Sequence, residues 1–196
     1  MFYLRQPSPA RIEAVLAAAR GLPFSYPEVG ATRSLTPAGY PTNHHRLRLG
    51  TGRSRFRAAV HALRGWAMYR LPWTALHPPG APVEAGTTVA TVIHHLGFWS
   101  VNPCRVVYVE EGEAGGVARF SFALGTVAGH AERGEERFTL EWRREDDAVS
   151  FEIFAFAAAE HPLAWLGYPY TRLLQGRFGR QALEAVRRAA EQGPHA

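Results

Sequence analysis

At 196 residues and 21.7 kDa, with 46% hydrophobic and 12% aromatic content, the chain is long enough for one domain that buries roughly 70% of its unfolded surface, which excludes a disordered protein. The net charge of +5 rests on 22 basic residues, all of them arginine, and no basic run exceeds the pairs Arg143-Arg144 and Arg187-Arg188; a nucleic-acid binder gathers its basic residues on one face, so no nucleic acid is expected as a partner. One cysteine, Cys104, excludes an internal disulfide and points to a reducing compartment; no signal peptide is read in residues 1–7, no apolar run reaches the roughly 18 residues of a membrane span, and a cytoplasmic protein is expected.

Ser8 can cap a first helix and Pro9 suits its first turn, where a missing N–H costs nothing. Ile12, Val15, Leu16 and Ala19 then form one apolar stripe, which Gly21 and Pro23 end. From Phe24 to Asn43 the density of Pro, Gly and Tyr predicts an extended, ordered loop. His44 to Leu49 reads as a short strand. Arg53 to Tyr69 reads as a second helix with Phe56, Val60, Leu63 and Ala67 on one face. Residues 71–85 are Pro-rich and read as loop.

Five strand signals follow, at Thr87–His95, Arg105–Val109, Val117–Thr126, Arg137–Arg144 and Val149–Ala157. Hairpin connections are predicted at Gly112–Gly116 and Arg144–Asp147. Phe138, Leu140 and Trp142 alternate with Thr139, Glu141 and Arg143, the pattern of an antiparallel sheet with one dry and one wet face. The last element is a helix from Leu163 to Glu191, with apolar residues at three- and four-residue steps and Pro169, Gly176 and Gly179 bending its first half. The sum is a single α+β domain over residues 1–196: a curved antiparallel sheet wrapped around a long C-terminal helix, with two further helices in the N-terminal third.

Between two of those strands, residues 125–136 concentrate His130, Glu132, Arg133, Glu135 and Glu136 in what reads as a loop. His130 is the candidate general acid or base, because imidazole titrates near neutrality and a flanking carboxylate, Glu132, Glu135 or Glu136, can orient it. The competing reading is a salt-bridged turn that fastens one strand end to its neighbour.

Five segments, Tyr26–Arg33, Arg48–Gly52, Ala62–Trp66, Asn102–Tyr108 and Gly125–Glu136, together resemble the DUF1990 or UPF0548 family in the same order along the chain. That family is similar to the helix-grip superfamily of START and Bet v 1 type. The resemblance implies a helix-grip fold whose sheet and helix often enclose a cavity for apolar ligands. It implies little about chemistry, since one fold hosts carriers and enzymes alike.

The remaining candidates carry structural alternatives. Gly50–Phe56 looks like a dinucleotide turn but has Arg55 where the third glycine belongs; at most its helix start, with Arg48, Arg53 and Arg55, holds an anion. Tyr26, Glu28 and Arg33 either pin the early loop, the carboxylate pairing with the guanidinium across a turn, or face a cavity mouth. Trp66 packs in the core or lines a pocket wall, with its indole N–H in need of a partner. His44-His45 and His94-His95 place neighbouring rings on opposite faces of a strand, so no metal site is expected. Cys104 reads as a small buried side chain, and no cofactor is expected.

Three functional readings follow, in order of preference. The first is a binding module for a small apolar or amphipathic molecule, with Phe120, Phe122, Phe151, Ile153, Leu173 and Leu174 lining a cavity. In that reading Tyr26, Arg33, Arg48, Trp66, His130 and Arg133 contact the ligand. The second is an enzyme on the same scaffold using His130 and Glu132. The third is a partner-binding domain, for which a large exposed apolar patch without a cavity would speak.

Overall fold

In the computed structural model, residues 1–34, 37–159 and 168–193 are described. The elements in order are β1 (Phe2–Tyr3), α1 (Pro9–Ala19), β2 (Thr42–Thr51), α2 (Gly52–Arg64), β3 (Thr74–His77), β4 (Thr88–His95), β5 (Phe98–Ala114), β6 (Val117–Thr126), β7 (Glu132–Arg143), β8 (Ala148–Ala159) and α3 (Tyr168–Gln192). Single 3₁₀ turns stand at Ala31–Arg33 and Ala67–Tyr69. The expected start of the last helix, residues 163–167, lies outside the described residues.

The strands form one antiparallel sheet in the order β2-β8-β7-β6-β5-β4-β3, with β1 added beside β5. Its concave face takes α2 and α3, which also contact each other. The register sets Phe122 opposite Phe138 and Phe138 opposite Ile153, so one row of side chains crosses three strands. Phe122, Phe138 and Phe151 stack there, with centroids 5.1 and 6.5 Å apart, and all three are fully buried. Thr139 and Glu141 fall on the convex face, as the alternation predicts. Glu141 there pairs with both Arg46 and Arg119.

The first helix forms as its sequence dictates. Ser8 Oγ accepts from the Arg11 amide at 3.3 Å, Pro9 opens the helix, and Ile12, Val15 and Leu16 pack on Ala90, Val92 and Val101 of the outer face. Its far end is closed by Arg105, whose guanidinium donates to the Ala19 and Arg20 carbonyls at 2.9 Å each, satisfying carbonyls that a helix C-terminus leaves bare. No helix among the described residues is long and apolar enough to cross a membrane.

The structure corrects several sequence boundaries. The second helix stops at Arg64, where Gly65 follows, and a separate 3₁₀ turn carries Met68 and Tyr69 into the core. Residues 71–85 contain the edge strand β3, whose short ladder with β4 carries too little pattern to stand out. The 125–136 segment is loop only over residues 127–131, because Glu132 to Glu136 already pair with β8.

A third hairpin, between β4 and β5, turns through Leu96 and Gly97 with φ of 48° and 75°. Such a two-residue turn favours Asn at its first position, and Leu96 is also 70% exposed. Leu96→Asn should therefore raise stability by about 0.5–1 kcal/mol, read as a shift of the urea midpoint at constant slope; a lowered midpoint would contradict the strain assigned to this turn.

Candidate functional site

The concave face is filled unequally. Phe120, Phe122, Phe138 and Phe151 close one half of it, while the other half faces the first turns of α3 across a cavity of about 500 Å³. On the sheet side its walls are Ile93, Cys104, Leu124, Ile153 and Ala155; on the helix side they are Tyr170, Leu174 and Phe178, with Tyr69 and Trp73 beside them.

Two glycines allow the close approaches that shape it. A side chain on Gly134 would strike the Phe156 carbonyl of β8, and one on Gly179 would strike the ring of His45. Trp73 is held by its indole N–H, which donates to Gln181 Oε1 at 2.6 Å.

The polar groups of the cavity come mainly from β7. The row Leu124–Glu136–Ala155 lies one step beyond Phe122–Phe138–Ile153, so Glu136, Gly134 and Glu132 continue the inward-facing set of Phe138, Leu140 and Trp142. Burial raises the Glu136 carboxyl to about 8, helped by the charge of Glu132; a hydrogen bond with the Tyr69 hydroxyl offsets part of this. Burial raises Glu132 to about 7, against a 2.6 Å hydrogen bond from Gln175 Nε2 and the charge of Arg172. The Gln175 carbonyl oxygen in turn accepts from Asn43 at 2.8 Å and from Arg172 at 3.1 Å, which fixes the amide's orientation.

Burial drives His130 the other way, to about 4, so the ring is neutral near pH 7. Its Nδ1 lies 2.9 Å from both the amide nitrogen and the carbonyl oxygen of Glu132, and its bond is thus to the main chain and not to a carboxylate. Burial also lowers His45 and His95. The buried Nδ1 of His95 has no hydrogen-bond partner. The Cys104 thiol is pushed up by burial and holds its proton at neutral pH.

Glu135 faces away from this chemistry. Its carboxylate, 2% exposed, accepts from the Tyr26 hydroxyl at 2.7 Å, the Gly30 amide at 2.7 Å, the Thr32 amide at 3.0 Å and the Thr32 hydroxyl. It fastens the early loop to the sheet. The pairing of Glu28 with Arg33 anticipated from their spacing does not form: Glu28 accepts from Tyr40, and Arg33 reaches Glu110.

Of the residues singled out from the sequence, the structure brings His45, His95, Cys104, His130, Glu132, Glu136, Ile153 and Leu174 to the cavity. Trp66 lies in the core, its indole donating to the Ala81 carbonyl at 2.7 Å. Phe120, Phe122 and Phe151 lie in the filled half, and Tyr26 belongs to the Glu135 cluster. Arg33 lies over Tyr108 on the convex face. Arg48 and Arg133 are exposed, the latter near the Tyr40 ring, and Leu173 is 71% exposed on the outer side of α3.

The glycine turn before α2 is tied by its Gly52 amide to the Asp147 carbonyl of the β7–β8 hairpin. His44 points outward to Glu152 at 3.1 Å while His45 points inward, and His94 stacks on Trp99 while His95 faces Tyr170. Among the described residues no three His, Cys, Asp or Glu side chains gather as a metal site.

Tyr69 and Trp73 are site residues that the sequence does not single out, His45 and His95 figure there only as rejected metal ligands, and Glu136 only as a loop carboxylate beside His130. Glu136 alone had a usable signal, since counting back by two from Phe138 places it on the dry face.

A curved antiparallel sheet closed over a long C-terminal helix, with a cavity between them, defines a helix-grip fold. A crystal structure of a Thermus thermophilus protein shares the fold at a TM-score of 0.51 and 12% identity, over 78% of this chain and 98% of that one. Residues 25–185 match the family described as Domain of unknown function (DUF1990), and the chain belongs to that family. UPF0548 proteins are similar along most of its length. The one from Dictyostelium discoideum is 31% identical over 91% of this chain and 90% of its own. The one from Arabidopsis thaliana is 36% identical over 76% and 72%, and the one from Deinococcus radiodurans 35% over 97% and 99%.

Proposed function

We propose that the protein binds one small apolar or amphipathic molecule in the cavity between the sheet and α3. The observation that carries this reading is the cavity itself. At about 500 Å³ it lies within the roughly 300–1,000 Å³ typical of small-molecule sites, and its walls are apolar with a few polar groups gathered along β7. A partner-binding domain, the third alternative, would present a large exposed apolar patch without such a cavity.

Native mass spectrometry of the protein purified gently from its own host tests the proposal. The expected result is an apolar small molecule at near one per chain, or, for an emptied protein, saturable one-to-one uptake of an apolar probe that displaces it. A protein that carries nothing and takes up no apolar probe would end this reading.

A second reading, acid–base catalysis in the same cavity, is favoured by Glu132 and Glu136, whose values of about 7 and 8 suit proton transfer near neutrality. His130 fits that role less well, being neutral and bonded to main chain. A metabolite panel on which turnover survives His130→Ala but is lost in Glu136→Gln would support it.

A further inference from the structure

We propose that the cavity selects amphipathic amines, with a protonated amino group seated against Glu136 and an apolar body lying between Ile153, Leu124 and Leu174. The inference rests on the binding reading above and names the class of ligand.

With 22 arginines available, the protein gives Glu110, Glu111, Glu113, Glu141, Glu152 and Glu184 each an arginine within 3 Å. Glu135, which has none, receives four neutral donors. Of the two carboxylates that face the cavity, Glu132 has an amide donor in Gln175 and the charge of Arg172 near it, whereas Glu136 has neither. It reaches into the cavity with the Tyr69 hydroxyl as its partner, and no arginine stands among the described lining residues.

Taking a carboxylate out of water without a cation is costly, and the group answers by keeping a proton. A ligand ammonium supplies the missing charge. It also brings three N–H donors, for which the Glu136 oxygens and the Tyr69 oxygen are acceptors. Glu132, four residues along the same strand and on the same face, adds negative potential, which the charge of Arg172 beside it partly offsets. Among the described residues, the other titratable groups that line the site carry no positive charge near pH 7. His45, His95 and His130 are neutral near pH 7, and the Cys104 thiol keeps its proton.

An ammonium that displaces the Glu136 proton leaves a signature independent of affinity: the proton leaves with the buffer as the ion pair forms. Titration calorimetry of the full chain with octylamine, 1-octanol and octanoate, at pH 7.5 in two buffers of different ionisation enthalpy, reads both quantities. Octylamine should bind about tenfold or more tighter than 1-octanol, the increment expected of one charge-assisted contact, with release of up to about one proton per ligand. In Glu136→Gln the preference and the proton release should both disappear while 1-octanol still binds.

Equal affinity for amine and alcohol, or preference for octanoate, would overturn the amine assignment while leaving the cavity a binding site. Failure of all three probes would overturn the binding reading and the assignment with it. Preference for the amine without proton release, unchanged in Glu136→Gln, would remove Glu136 from the site.

Discussion

Glu135→Ala should destabilise the protein by about 3–5 kcal/mol, the largest effect expected of any single polar residue in the chain. Two main-chain amides, Gly30 and Thr32, and two hydroxyls, Tyr26 and Thr32, converge on this one buried carboxylate. Truncation leaves those donors in a space water does not reach freely, and the amides have no way to turn toward another acceptor. Glu135→Gln should cost nearly as much, because its amide nitrogen would face donors that need an acceptor. Thr32→Ala is the graded control. It removes one donor and the contact with the Tyr108 hydroxyl, and should cost about 1–2 kcal/mol. Urea denaturation with a common slope checks the series. A loss below about 1 kcal/mol for Glu135→Ala would mean that the early loop is held by its aromatic contacts instead, Tyr26 and Tyr40 against Phe156.

The same strand shows what the sequence discloses and what it hides. Period-two alternation from Phe138 to Trp142 is legible because hydrophobicity reports burial. The pattern continues unbroken through Glu136, Gly134 and Glu132, but there the inward residues are charged or absent, so the segment reads as loop. A cavity with polar groups is the one circumstance in which the dry face of a strand stops being apolar. Likewise β5 runs through Pro103 and Pro103 stays in register with Ala90, although proline usually marks a strand's end. The Leu96-Gly97 turn is hidden because leucine is not a turn residue. Most of all, Phe120, Phe122 and Phe151 were expected to line the cavity and instead fill the half beside it. Which half of the concave face is filled depends on where α2, the 3₁₀ turn at Ala67–Tyr69 and α3 cross the sheet, and no local pattern encodes those crossings.

Between about pH 6.5 and 8.5 the ligand-free protein should lose about 2 kcal/mol of stability, and the loss should be absent in the double variant Glu132→Gln, Glu136→Gln. Both carboxyls are raised in the folded state, to about 7 and 8, from an unfolded value of 4.5. The folded chain therefore holds protons that the unfolded chain has released. Their contribution is complete below pH 4.5 and is lost as pH rises through the folded values.

The histidines act in the opposite sense and in another window. His45, His95 and His130 are lowered by burial, so the stability they contribute is present above their unfolded value of 6.5 and lost as pH falls below it. The N-terminal amine, also lowered by burial, opposes part of the alkaline loss up to its unfolded value of 8.0, whereas Cys104 and the buried tyrosines enter only at higher pH. Above neutrality the histidines no longer titrate, so the alkaline fall runs through two side chains. An amine bound at Glu136 replaces the proton with a charge that does not titrate in this window, so saturating octylamine should flatten the alkaline limb of the wild-type protein and leave that of the double variant unchanged. A limb that stays steep with the amine bound would show that the ligand and the titrating proton occupy different places.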